Sequence, residues 1–195
     1  MVIKLDLANA FDRVKHSFLV RVLRKFGFGE NFINWISACI SEPWIAPLVN
    51  GIAVGFFKAS RGLRQGCPLS LLLFVLQASI LSFYLNKEMA EQEILGLSIA
   101  RGVRNINHAL FVDDTLCLGT TSLHSTYTFK DVLNKFCDAS GSMLNKGKCH
   151  VYSWNISSTL LTTISRCLGF AGSASWSSFK YLGLLFFFKS AFCRD

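Results

Sequence analysis

An α+β layer, in which helices cover one face of an antiparallel sheet, is the fold class this sequence predicts. Two observations carry it. Short β-branched or hairpin-like runs alternate with stretches of helical period, in the order strand, helices, hairpin, long apolar helix, hairpin, helix, strand. Hydrophobic residues make up 51% of the 195 positions, 18 of them phenylalanine, which is enough for a real core and excludes a largely disordered chain. No repeat, linker or low-complexity segment divides the sequence.

The elements follow in order. "VIKLDL", residues 2–7, reads as a strand. "HSFLVRVLRKFGF" sets Phe18, Leu19, Val22, Leu23 and Phe26 at helical spacing, with Gly27 as its stop. "ENFINWISACI" repeats the pattern and halts before Pro43. The extended runs "WIAPLV" and "IAVGFF" are joined by Asn50-Gly51, a strong hairpin signal. A long helix opens at Pro68, a residue suited to a first turn. From Gly66 to Asn86 it carries no charge, so by length it fits either a membrane span or a buried helix of a compact domain. Gln77, Ser70, Ser79 and Ser82 stand against a span, and a fully buried helix explains the run equally well. "HALFVDDTLCL" makes a second hairpin with Asp113 and Asp114 at its tip. "HSTYTFKDVLNKFCDAS" is a helix closed by Gly141. "HVYSW" and "FKYLGLLF" read as strands, with a weaker helix, "STLLTTISRCL", between them.

Charge and cysteine content bound the function. Lysine and arginine outnumber acids 20 to 12, a formal charge of +8. That favours a polyanionic partner, nucleic acid or an anionic membrane, and equally fits a basic soluble protein. None of the 7 cysteines has C-x-x-C spacing, so a zinc ribbon is not indicated. Their odd number and scatter suit reduced thiols in an intracellular compartment. The sequon at Asn155 is discounted, because Lys4 and Asp6 interrupt the N-terminus at once and no signal peptide is visible.

The paired acids set the chemical question. Asp113 and Asp114 lie between apolar runs, and Asp6 ends the first strand among apolar neighbours, where an unpaired charge is costly. Asp-Asp is also ordinary turn chemistry. With the first strand beside the 107–118 hairpin, all three carboxylates converge and call for a counter-ion. Hard divalent cations, Mg2+ above all, take carboxylate oxygens and keep water and phosphate as further ligands. Two such ions about 3.5–4 Å apart would clamp the attacking and leaving oxygens of an in-line phosphoryl displacement. In "SRGLRQGCPLS", glycines flank Arg64-Gln65 just before a helix start, a pattern that lets backbone approach a phosphate ligand. The same residues also read as a plain strand-to-helix loop.

Taken together, "KLDLANAFDRV", "SRGLRQGCPLS", "HALFVDDTLCLG", "SGSMLNKGKC" and "FKYLGLLF" resemble the successive blocks of reverse transcriptases, nearest to the non-LTR, long-interspersed-element type of retrotransposon. The resemblance runs from Val2 to Phe186 and implies the palm of a right-handed polymerase: an antiparallel sheet with helices packed on one face. It implies RNA-directed DNA synthesis on a primer 3′-OH, with RNA template, DNA primer and deoxynucleoside triphosphates as partners. Two Mg2+ ions, replaceable by Mn2+, are the implied cofactors. The blocks flank the 66–86 run on both sides, so the resemblance implies that this run is the central buried helix of the palm and that no membrane is a partner.

Residue by residue, Asp6 resembles the first metal-binding aspartate, and Asp113 and Asp114 the later acidic pair, with Asp113 the more direct ligand. Leu7 would complete the metal site and offer its backbone N–H to the triphosphate. Phe11 would exclude a 2′-hydroxyl, although core packing also explains it. Gly62, Arg64, Gln65 and Gly66 would line the nucleotide pocket and touch the template. Lys148 would protonate the departing pyrophosphate, with Lys146 a competitor and a solvated surface role open to both. Tyr181, Leu182 and Gly183 would support the primer end. Val112, Cys149 and Leu71 depart from the alanine, serine and proline common at their positions.

The expected domain is a partial palm over residues 1–186, with fingers and thumb largely missing and 187–195 an unmatched tail. Such a fragment should have little activity alone. A non-catalytic nucleic-acid-binding relic is the alternative. The resemblance implies nuclear location, while nothing in the sequence sets the oligomeric state.

Overall fold

The first strand, β1 (Val2–Asp6), is the middle of a 5-stranded sheet. The computed structural model describes residues 1–41, 43–98, 100–174 and 178–187. Along the chain the elements are β1, α1 (His16–Lys25), α2 (Glu30–Ser41), β2 (Trp44–Ile45), β3 (Leu48–Val49), β4 (Ile52–Ala53), β5 (Phe57–Lys58) and α3 (Pro68–Ala90). There follow β6 (His108–Phe111), β7 (Asp114–Leu118), α4 (Leu123–Ser140), β8 (His150–Tyr152), α5 (Ser158–Leu168), β9 (Ala171–Ser173), β10 (Ser178–Tyr181) and β11 (Leu184–Phe187). They form two compact units. One holds Met1–Asp6, Glu88–Lys130 and the described residues from Asn145 onward; the other holds Leu7–Lys87 and Asp131–Leu144.

In the first unit the sheet order is β6-β7-β1-β8-β9. β1 pairs antiparallel with β7, Val2 opposite Leu118 through Asp6 opposite Asp114, and with β8 on its other side. Residues alternate between faces. Ile3, Leu5, Cys117 and Val151 are fully buried on one face. Phe129 of α4 closes over Gly119, where a Cβ would stand 2.9 Å from the ring. On the opposite face the β10–β11 hairpin packs Phe179 and Tyr181 against Val2 and Leu116. Tyr152 stacks on Phe179 with centroids 4.9 Å apart.

The α+β class is as expected, but the sheet is mixed rather than purely antiparallel. β9 lies parallel to β8. A parallel neighbour needs a crossover, and α5 supplies it. Ser157 caps α5, accepting from the Leu160 amide at 3.3 Å, and Gly169 ends it in the left-handed region.

In the second unit, α1 buries the stripe Phe18, Leu19, Val22 and Leu23. Arg24 and Lys25 in its last turn suit the helix dipole. The 44–58 segment forms two short ladders instead of two continuous strands: β2 with β5, and β3 with β4 about Asn50-Gly51. Both turn residues have positive φ, 51° and 81°, the geometry such a turn requires. Pro47, which cannot donate to a ladder, separates β2 from β3.

The long apolar helix is less enclosed than its sequence suggests. α3 buries Ser70, Leu73, Phe74, Gln77, Leu81 and Leu85, while Leu71, Leu72, Val75 and Phe83 are exposed. By length and composition its 23 residues could cross a membrane, and 33% of its most apolar window is buried. The expected fully buried helix is thus half right: one face is core, and the other is apolar and open.

Candidate active site

Two groups of residues, one in each unit, carry the expected chemistry. The first is acidic. The β1–β7 register sets Asp6 directly opposite Asp114. Residues so paired point to one face, with Cβ atoms about 4.5–5.5 Å apart. The hairpin that delivers Asp114 turns at Val112-Asp113, because Phe111 pairs with Asp114. Asp114 is therefore the first residue of the return strand and not part of the tip, a correction to the expected placement. Asp113 occupies the turn and is exposed. Val112 adopts φ 52°, unfavourable for a β-branched residue.

Backbone contacts fix Asp6. Its N–H donates to Cys149 Sγ at 3.4 Å, the Cys149 thiol lies 3.7 Å from its carbonyl, and Asn145 N–H donates to the same carbonyl at 2.9 Å. Burial pushes the Cys149 thiol above its ordinary value. Lys148 Nζ stands 3.7 Å from Asp6 Oδ2, with the lysine mostly exposed and the aspartate 20% exposed. Burial raises the Asp114 carboxyl above its usual range; Asp113 and Asp6 raise it further, while Lys4 and Lys148 oppose them.

The β10–β11 turn is tied to this group. Tyr181 is buried, and its hydroxyl donates to the Asp114 carbonyl at 3.4 Å. Leu182 and Gly183 form the turn, both with positive φ. Lys4 Nζ donates to the Lys180 carbonyl at 3.2 Å.

The donor set fits a divalent cation held partly by the chain. Mg2+ is commonly bound by one or two carboxylates, with water and substrate phosphate filling the other positions. Asp6 and Asp114 supply two such groups on one face. Among the described residues, however, no three His, Cys, Asp or Glu side chains cluster closely enough to cage an ion, so the expected three-carboxylate convergence is not seen. Leu7 bridges Leu144, and the bonds of that bridge are made by its neighbours, Ala8 N–H to the Met143 carbonyl and Asn145 N–H to the Asp6 carbonyl. The bridge therefore consumes neither the amide nor the carbonyl of Leu7.

The second group lies around the 60–66 loop. Gly62 N–H donates to the Val14 carbonyl and Leu63 N–H to the Phe11 carbonyl, both at 2.8 Å. Gly62 has φ 93°, and a Cβ there would stand 2.8 Å from the Asp12 carbonyl oxygen, so glycine is required twice over. Gln65 Nε2 donates to Asp12 Oδ1 at 3.3 Å. Gly62, Arg64 and Gln65 line a cavity of about 630 Å3, with Asp12, Trp44 and Arg61 in its wall. Gly66, φ 78°, has open space about it and is not part of that wall. Phe11 stacks on Phe74, centroids 4.6 Å apart at 12°, so one face of its ring is taken by the core.

Some participants escaped the sequence reading. Lys4 was read only as a break in an apolar N-terminus, yet its alternation with Asp6 along a strand places both on one face. Asp12 and Phe74 gave no signal, because their partners Gln65 and Phe11 are remote in sequence.

A mixed sheet that sets two acids opposite one another beside a hairpin turn is the arrangement of a polymerase palm, and comparison with known proteins agrees. Residues 1–186 match the family described as reverse transcriptase (RNA-dependent DNA polymerase), and the chain belongs to that family. It carries a reverse transcriptase domain of the non-LTR retrotransposon type. It is 28% identical over 193 residues to a Pol polyprotein of the type-1 retrotransposable element R2 of Popillia japonica, covering 95% of this chain and 30% of that protein. It is 27% identical over 188 residues to the uncharacterized 149 kDa protein of transposon TX1 of Xenopus laevis, covering 93% of this chain and 13% of the other. An uncharacterized mitochondrial protein of Arabidopsis thaliana is 40% identical over 68 residues, covering 35% of this chain and 56% of its own length. Among solved structures, apo telomerase from Candida tropicalis, truncated from its C-terminal domain, aligns with a TM-score of 0.62 at 16% identity, covering 95% of this chain and 33% of that one. That likeness speaks to fold. The chain thus spans between 13% and 56% of the length of these curated relatives. The family generally uses divalent metal ions and acts on nucleic acid and nucleotides.

Proposed function

We propose that the chain performs, or derives from a protein that performs, RNA-templated DNA synthesis, adding deoxynucleotides to a primer 3′-OH. The single observation that carries this is the Asp6–Asp114 pairing on one sheet face with Lys148 Nζ 3.7 Å from Asp6. Asp6 and Asp114, with a backbone group of Leu7, would hold two Mg2+ ions, or Mn2+ in their place. When bound, the ions supply charge neutralisation for the triphosphate and polarise the primer hydroxyl. Asp113, exposed in the turn, would add negative charge at the rim and complete coordination once substrate is present. Lys148 would hold a proton for the leaving pyrophosphate.

The remaining residues position substrate. Gly62, Arg64, Gln65 and Gly66 would line the path of nucleotide and template, and the Phe11 ring, on the side away from Phe74, would bar a 2′-hydroxyl. Tyr181, Leu182 and Gly183 would seat the primer end. Phosphoryl transfer depends almost wholly on positioning and electrostatics. The transposon TX1 and R2 relatives are several times longer than the chain, and on this reading much of the activity depends on such further parts, with residues 1–186 acting as a partial palm. Nuclear location is part of the same reading. Primer extension on homopolymer RNA with Mg2+ tests it. Weak synthesis that is lost in Asp114→Asn supports the proposal, and undiminished synthesis in that variant overturns it. A non-catalytic nucleic-acid-binding role, supported by the +8 charge alone, predicts binding with no dependence on Mg2+ or on either aspartate.

A further inference from the structure

His16 is not among the residues that the sequence singles out for chemistry, yet it bonds one of them, Gly62, and joins two of the segments that line the 630 Å3 cavity. His16 Nε2 lies 2.7 Å from the Gly62 carbonyl oxygen. A carbonyl can only accept, so Nε2 carries the proton. Nδ1 lies 3.1 Å from Ser41 Oγ at the end of α2. The cavity lining takes Gly62, Arg64, Gln65 and Cys67 from one stretch of chain, and Cys39, Pro43 and Trp44 from a second, the end of α2 and the residues after it. His16 itself does not line the cavity. The 60–66 loop has backbone anchors on the 11–14 segment, and the segment after α2 is tied to the residues before that loop by the β2–β5 ladder; the imidazole adds a side-chain link between the loop and the end of α2.

We infer that His16 is a positioning residue: a strut that sets the spacing of the two lining stretches, and with it the width of the space offered to nucleotide and template. The inference rests on the proposed role of the 60–66 loop for its meaning in polymerisation, and on geometry alone for the strut itself. Imidazole suits the task because its two nitrogens are rigidly opposed, one donating to a carbonyl and the other accepting from a hydroxyl. A glutamine can reproduce the bond to Gly62 but cannot serve both ends from one planar ring.

The test uses the full chain as wild type, His16→Ala, His16→Gln and Ser41→Ala. Site-resolved hydrogen exchange is followed at Gly62 and Leu63, and iodoacetamide labelling at Cys67 and Cys39, one in each of the two lining stretches. His16→Ala should speed exchange at Gly62 and Leu63 and labelling at both thiols by about fivefold, the scale of one lost hydrogen bond. Ile3 and Leu5 amides should not change. His16→Gln and Ser41→Ala should behave alike, accelerating Cys39 and leaving the Gly62 loop protected. Unchanged rates in His16→Ala, or equal acceleration at every amide, would overturn the strut. If His16→Ala does not fold, the matched pair His16→Gln and Ser41→Ala decides: Cys39 unaffected in both is the overturning result. No readout requires synthesis, so the strut stands or falls separately from the polymerase reading, which the Asp114→Asn primer-extension comparison decides.

Discussion

Asp6 and Asp114 face one another across the β1–β7 ladder at the end of the register, two carboxylates on one sheet face with Lys4 and Lys148 as nearby cations. Like charges directly opposed in a sheet are destabilising. Their juxtaposition is a local cost to the fold, and a bound divalent cation would relieve it.

The cost is measurable through pH. Burial first, then Asp113 and Asp6, hold the Asp114 carboxyl above its ordinary value. A carboxyl raised in the folded state keeps its proton there longer than in the unfolded chain. Stability from this group is therefore greatest in acid, falls as pH rises through the folded value, and stays lower at neutrality. Asp114→Asn should raise the melting temperature at pH 7 without divalent ions by roughly 1–3 °C. The gain should shrink as pH falls towards about 4, the ordinary aspartate range. Thermal denaturation across pH checks both the sign and the window.

Val112 holds φ 52° at the first turn position of the β6–β7 hairpin. A β-branched residue is strained there by about 1–2 kcal/mol, and glycine removes the strain at a smaller entropic cost. Val112→Gly should therefore stabilise the chain by roughly 0.5–1 kcal/mol in urea unfolding. A loss of stability would show that packing of the valine side chain outweighs its backbone strain.

The two loop glycines should respond differently to alanine. Gly62→Ala places a Cβ 2.8 Å from a backbone oxygen in a left-handed conformation and should cost roughly 3 kcal/mol or more. Gly66→Ala meets open space and should cost only about 1 kcal/mol. Denaturant midpoints of the two variants separate close approach from backbone conformation.

Tyr181 offers a comparison of packing with hydrogen bonding. Its hydroxyl contact with the Asp114 carbonyl is long, 3.4 Å, whereas its ring is buried against Val2 and Leu116. Tyr181→Phe should cost under about 0.5 kcal/mol, and Tyr181→Ala roughly 3–5 kcal/mol. Equal losses would mean that the hydroxyl, and not the ring, anchors the hairpin.

Much of the fold was legible because period and punctuation agreed. α1 shows its stripe and its closing glycine, and Asn50-Gly51 names its own turn. β9 was not legible: "AGS" has no β-branched run and gains its strand character only from pairing with β8 after the α5 crossover. The tip of the acidic hairpin was misplaced by one residue because Asp-Asp is good turn chemistry while Val112 is poor. Register, set by pairing along β6 and β7, overrode that local preference. The exposed face of α3 was hidden because an apolar run has the same composition whether one side or both are covered. The acids themselves stood out as charges among apolar neighbours, but the choice of Asp114 over Asp113 as the partner of Asp6 is a matter of ladder geometry.

The most direct measurement is the Mg2+ dependence of the melting temperature for wild type, Asp6→Asn and Asp114→Asn. A site formed by both carboxylates gains about 1.4 kcal/mol at tenfold its dissociation constant, which for a chain of this size is a rise of roughly 3–6 °C. The account predicts that rise in wild type and its loss in each variant. Equal Mg2+ responses in all three proteins would contradict it.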